Sequence, residues 1–146
     1  MERRKAIKLC CYGTLGISTI AFGLPSCAGI YYASTSRNEN RVTVCLSEFS
    51  YIRKEKNISR DFVLINTEDL NFPICLYKQG NGNYIASLLE CTHKKCELNV
   101  GGGIYSCPCH GSEFSTAGKV LEGPAIDDLT TFKTETDHEN IYVYLA

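Results

Sequence analysis

Tryptophan is absent from these 146 residues, methionine occurs once, proline four times and histidine three times. There is no basic excess either, since fifteen Lys and Arg face sixteen Asp and Glu for a formal net charge of −1. That balance is uneven. Residues 1–32 hold four basic side chains against one acid, whereas the remainder holds eleven against fifteen. A mildly acidic body lacks the electrostatic footprint of a nucleic-acid binder. The length allows one modest domain, and no internal repeat is visible. What the chain does have is nine tyrosines and many β-branched residues, which point to an all-β domain.

The N-terminus reads MERRKAIKLCCYGTLGISTIAFGLPSCAGIYY, a basic head followed by an uncharged stretch from Leu9 to Tyr32. Its glycines, Pro25 and terminal position argue against a buried core helix. Its length suits a membrane span, which needs about 20 apolar residues. Arg3-Arg4-Lys5-Ala6-Ile7-Lys8 resembles a twin-arginine export signal, with Ala6 smaller than usual. Leu24-Pro25-Ser26-Cys27 resembles a bacterial lipobox with an atypical proline, making Cys27 a lipidation candidate. Residues 1–32 are therefore expected to be an export signal and membrane anchor or lipoprotein leader. The domain would then lie outside the cytoplasm, in the periplasm or at the surface of a bacterial cell envelope.

Residues 33–40 are small and polar and read as a flexible tether. Residues 41–146 form the domain. Val42, Val44 and Leu46 alternate as a first strand, and Ser47–Arg60 shows neither helical nor strand period, reading as an irregular insertion. Phe62–Asn66 is a short apolar strand. Phe72–Lys78 and Tyr84–Leu89 flank Gln79-Gly80-Asn81-Gly82-Asn83, a hairpin signal. Lys119–Leu121, Leu129–Lys133 and Ile141–Leu145 follow as further strands. Short strands at close intervals predict a small antiparallel β-sandwich or barrel.

The chemistry concentrates in CTHKKCELNVGGGIYSCPCHGS, residues 91–112, with two of the three histidines and four of the nine cysteines. Cys91-x-His93 and Cys107-x-x-His110 are two tight loops, each offering one thiolate and one imidazole. Zinc accepts such a set tetrahedrally. A two-iron cluster accepts it with cysteines on one iron and histidines on the other. Cys96 and Cys109 raise the potential ligands to six, more than a mononuclear zinc site uses, and are left to pair if the other four hold the metal.

CTHKKC and CPCHGS resemble the two cluster-binding boxes of the Rieske iron–sulfur family, in the form found in Rieske subunits of cytochrome bc-type complexes. The resemblance is tight over residues 91–112 and looser over about 60–146. It implies a [2Fe-2S] cluster held by Cys91, Cys107, His93 and His110, with the histidines on the outer, redox-active iron. It implies a Cys96–Cys109 loop disulfide, which needs an oxidising compartment. Ser112 takes the place of a serine that hydrogen-bonds a bridging sulfide, and Gly123-Pro124-Ala125 resembles the proline loop over the cluster, so the cluster region runs over about 90–125.

Neutral imidazoles in place of two thiolates raise the potential to roughly −150 to +300 mV. The ring nitrogens not bound to iron can couple electron to proton transfer. The chain departs from the bc-complex pattern in three places. Lys94-Lys95 stands where an apolar residue and a glycine are usual, Phe114 replaces a tyrosine, and the spacer holding Gly101-Gly102-Gly103 is short. The resemblance implies a membrane-anchored one-electron carrier rather than a stand-alone enzyme. Its partners would be a cytochrome or oxidoreductase subunit, and quinol if it serves a cytochrome bc-type complex. A Rieske oxygenase needs a further iron site with two histidines, and only His138 remains for it. The alternative is a non-redox component of a cell-surface assembly with a structural metal. Cys45 and Cys75 lie in strand patterns and are expected as buried free thiols, a second disulfide being the sharper reading.

Overall fold

The computed structural model describes residues 29–145. The export-signal, lipobox and Cys27 expectations lie almost wholly outside them. No helix among the described residues is long and apolar enough to cross a membrane.

The larger body is a seven-stranded antiparallel sheet. Its strands are β1 (Thr35–Asn38), β2 (Arg41–Cys45), β5 (Phe62–Ile65), β6 (Ile74–Lys78), β7 (Tyr84–Leu88), β12 (Thr131–Thr136) and β13 (Asn140–Tyr144), in the order β1-β2-β13-β12-β7-β6-β5. The sheet curls, so that Val42, Val44 and Ile141 from one end meet Val63, Ile74 and Leu76 from the other in one core. A smaller four-stranded sheet carries the candidate ligands. It comprises β8 (Asn99–Gly101), β9 (Ile104–Ser106), β10 (Glu113–Ser115) and β11 (Val120–Glu122). A separate two-stranded ribbon joins β3 (Ser50–Arg53) to β4 (Lys56–Ser59), after a 3-10 turn at Leu46–Phe49.

Strands β5 and β6 form a wall between two cores. Val63, Ile65, Ile74 and Leu76 face the first core, while Leu64 and Cys75 face the second. Alternate residues point to opposite faces, so a strand buried on both faces reads as a continuous apolar run. The second core includes the candidate ligands Cys91 and Cys107 and joins Leu64 and Cys75 to Leu89, Tyr105, Phe114 and Leu129.

Several expectations hold with small shifts. The Gln79–Asn83 hairpin closes with the Gln79 N–H donating to Asn83 O at 2.7 Å and Gly82 at φ 82°. The glycine run makes the two-residue β8–β9 turn, with Gly102 and Gly103 at φ 63° and 79°. Both residues of such a turn need positive φ, which explains the shortened spacer.

Other segments differ. Residues 35–38, read as tether, pair along their whole length with β2, from Thr35↔Val44 to Asn38↔Arg41. The supposed irregular insertion contains the β3–β4 ribbon, whose turn residues Lys54 and Glu55 sit at φ 49° and 63°. Neither glycine nor asparagine marks that turn, so the usual signal is missing. Cys45 and Cys75 are both free, and Cys45 is exposed rather than buried.

Candidate metal centre

Two loops of the same backbone design make the site. In Cys91–Cys96, the Cys91 N–H donates to Cys96 O at 2.9 Å and the Lys95 N–H to Cys91 O at 2.9 Å. In Cys107–Ser112, the Cys107 N–H donates to Ser112 O at 2.8 Å and the Gly111 N–H to Cys107 O at 3.0 Å. Each loop opens with a buried free thiol, Cys91 or Cys107. Each reverses at its fifth residue through a positive φ, 60° at Lys95 and 80° at Gly111. This explains why glycine is usual at the Lys95 position. A non-glycine residue there costs on the order of 1 kcal/mol, and here an ion pair from Lys95 to Glu90 spans the loop's base.

The histidines sit at the third and fourth places of their loops and meet edge to face. The ring centroids of His93 and His110 lie 4.9 Å apart at an interplanar angle of 81°. His110 is exposed and His93 half-buried. The His93 Nδ1 atom is buried without a hydrogen-bond partner. A buried ring nitrogen left unpaired is costly, so it is an atom awaiting a ligand. Burial pushes the Cys91 thiol up. The His93 backbone N–H, the Cys107 side chain, the Lys94 backbone N–H and the Ser112 hydroxyl outweigh that and hold it below its ordinary value. Such a pocket favours thiolate, the form that binds metal.

Cys96 and Cys109 form a disulfide with Cα atoms 6.5 Å apart, tying the end of the first loop to the middle of the second. Their sulfurs and that of Cys107 lie within 4.8 Å of one another. Two of those three are consumed in the disulfide, so the trio is not a metal set. Cys91, His93, Cys107 and His110 are the donors that remain. Two buried free thiols, Cys91 among them held toward thiolate, and an orphaned imidazole nitrogen fit a two-iron group with mixed sulfur and nitrogen ligation.

A strap over Gly123–Asp128 closes the third side. The Ala125 N–H donates to the Ser112 hydroxyl at 3.0 Å, and the Thr92 hydroxyl donates to Asp127 O at 2.7 Å. The strap is thereby pinned to both loops. The Thr92 contact crosses 35 residues of sequence, and no local pattern announces it. Beneath the loops, Tyr105 is fully buried and stacks edge-on against Tyr77 with centroids 6.4 Å apart. It packs in the same core as Cys107. The only local signal for it is a tyrosine two residues before a candidate ligand cysteine. Phe114 is fully buried, and His138 is exposed in its turn.

Comparison with known proteins agrees with this geometry. The family model described as the Rieske [2Fe-2S] domain matches residues 44–133. The cytochrome b6-f complex iron-sulfur subunit of Synechococcus sp. (strain JA-2-3B'a(2-13)) is 42% identical over 53 residues, covering 35% of this chain and 31% of that relative. The corresponding subunit of Synechococcus sp. (strain RCC307) is 26% identical over 155 residues, covering 98% of this chain and 84% of its own. Among solved structures, the cyanobacterial plasma membrane Rieske protein PetC3 from Synechocystis PCC 6803 aligns with a TM-score of 0.51 and 41% identity. That match covers 57% of this chain and 85% of that one. Against the first relative, the matched region is thus about a third of its length. With twin thiol-and-imidazole loops, a disulfide between them and a family match across most of the domain, this chain belongs to the Rieske [2Fe-2S] family.

Proposed function

We propose that the chain is a membrane-attached Rieske carrier that passes single electrons between a donor and an acceptor outside the cytoplasm. In this reading Cys91, Cys107, His93 and His110 hold the cluster and Ser112 tunes it. The observation that carries the assignment is the orphaned, buried His93 Nδ1 beside two buried free thiols. A bound [2Fe-2S] group supplies one-electron chemistry at roughly −150 to +300 mV. The protein's own part is positioning. The buried cysteines shut water away from the inner side of the site. The exposed ring of His110 gives a partner a short approach. The Ser112 hydroxyl accepts from Ala125 and keeps its own proton to donate toward sulfur.

Membrane attachment is supported by the uncharged Leu9–Tyr32 stretch and by relatives named as a b6-f complex subunit and a plasma membrane protein. Exposed Lys94 at the tip favours a polar partner over a purely apolar quinol pocket.

Electron paramagnetic resonance of the dithionite-reduced protein tests the cluster. The signal of a one-electron-reduced [2Fe-2S] group is expected, and bound zinc without a signal would sink the reading. Retention of the chain in membranes through an alkaline carbonate wash tests the attachment.

A further inference from the structure

We propose that the β3–β4 ribbon and the adjoining Gly29–Tyr32 segment form a docking face for anionic lipid headgroups, which holds the domain against the membrane surface. The inference rests on the membrane attachment proposed above.

The described chain leaves little slack between its apolar leader and the domain. The Leu64 N–H donates to Tyr31 O at 2.9 Å and the Ala33 N–H to Leu64 O at 2.8 Å, laying this segment along the edge of β5. The Arg60 guanidinium stacks over the Tyr31 ring at 3.8 Å and the Tyr51 ring at 4.3 Å. It also donates to the Glu48 and Ser50 carbonyls at 3.0 and 3.2 Å. The Tyr31 hydroxyl donates to the Glu48 carboxylate at 2.6 Å. Either attachment, a span drawn from the uncharged stretch ahead of Gly29 or lipid on Cys27, therefore brings the membrane within a few residues of this clamp.

The ribbon stands beside it. Tyr51, Arg53 and Arg60 line one groove with Ile30, Tyr31 and Asp61. At the ribbon's tip Ile52 pairs with Asn57 and Arg53 with Lys56. The tip offers Arg53, Lys54 and Lys56 against the single acid Glu55. None of these four belongs to an ion pair among the described residues. The charge runs against that of the body, where acids outnumber bases. Exposed apolar side chains occur on both the ribbon and the Gly29–Tyr32 segment. Ile52 is 80% exposed, Ile30 63% and Tyr32 44%. Isolated apolar groups among unpaired cations suit an anionic membrane interface. Lys54 and Glu55 also hold positive φ where glycine or asparagine would be unstrained, so the turn keeps a cation at a backbone cost.

The test uses the full-length holoprotein in vesicles of phosphatidylcholine, alone or mixed with phosphatidylglycerol. The chain has no tryptophan, so Asn57→Trp supplies a single fluorophore opposite Ile52. Blue-shifted emission, quenched by brominated lipid, is expected in the anionic vesicles and should weaken at high salt. Adding R53Q, K54Q and K56Q should shift the docked-to-undocked ratio by on the order of a hundredfold, at about fivefold per cation. Water-like emission in anionic vesicles, with the chain still retained through an alkaline wash, overturns the docking face and leaves the attachment standing. Emission that shifts equally in neutral vesicles, or ignores the three substitutions, also overturns it. A chain lost in the wash that still binds anionic vesicles through these cations sustains the face and removes the attachment. A shift that needs a second membrane protein overturns the lipid assignment.

Discussion

The Ser112 hydroxyl is fully buried and takes the Ala125 N–H at 3.0 Å, so its own proton is free to point at sulfur. A donor of this kind is worth more to the reduced, more negative state than to the oxidised one. Ser112→Ala should lower the reduction potential by on the order of 50 mV, equivalent to a differential of about 1 kcal/mol for one electron. Protein-film voltammetry would read it, and an unchanged potential would remove Ser112 from the tuning set. Cys75 presents a different residue-scale effect. Burial pushes its thiol up to about 12, against a small opposing effect from the Tyr105 hydroxyl. The folded state therefore keeps its proton above the pH at which the unfolded chain releases it. The stabilising contribution is present below about 9 and is lost as pH rises from there toward 12. Urea unfolding at neutral and alkaline pH should show that loss, and Cys75→Ala should flatten the alkaline slope.

At the scale of elements, the turns separate into those that need only a backbone shape and those that also need space. Gly102 and Gly118 both have positive φ, 63° and 80°. A Cβ at Gly102 would meet nothing, whereas one at Gly118 would lie 3.1 Å from Thr131 Cγ2 and 3.4 Å from Leu129 Cβ. Gly102→Ala should cost about 1 kcal/mol of stability from backbone strain alone. Gly118→Ala adds crowding where β10 turns toward β11 against the start of β12, for a total of about 2–3 kcal/mol. Thermal melts of the two variants would compare them directly, and equal losses would mean that the crowding is relieved. The β3–β4 ribbon illustrates the opposite situation, an element formed without a glycine turn at all.

Across the whole molecule, two cores share one wall but differ in what holds them. The first is closed by continuous strand pairing and aliphatic packing. The second contains the candidate ligands, short three-residue strands and the Cys96–Cys109 bond. That disulfide closes a loop with a sequence separation of 13, for which chain-entropy reasoning gives about 3 kcal/mol. Cys96→Ser should therefore loosen the cluster lobe selectively. Hydrogen exchange should accelerate over residues 91–112 while β2, β6 and β13 stay protected, and cluster retention should fall. Uniform deprotection, or full retention, would contradict a lobe stapled by this bond.

The apolar strands, the glycine hairpins and the two cysteine–histidine boxes were legible in the sequence because each is encoded locally, by period, turn chemistry or ligand spacing. The all-β class and the family resemblance follow from those local signals. Other features depended on contacts between distant residues. The β1 strand exists because β2 offers it a partner, and the β3–β4 turn because its lysine and glutamate tolerate a left-handed backbone in that setting. Thr92 reaches Asp127, and Tyr105 joins the core that holds Cys107, only once the chain has folded. The candidate ligands follow from residue type and short spacing, which sequence determines by itself. How the ligands are held, shielded and presented depends on packing across long stretches of chain, which the tertiary structure alone decides.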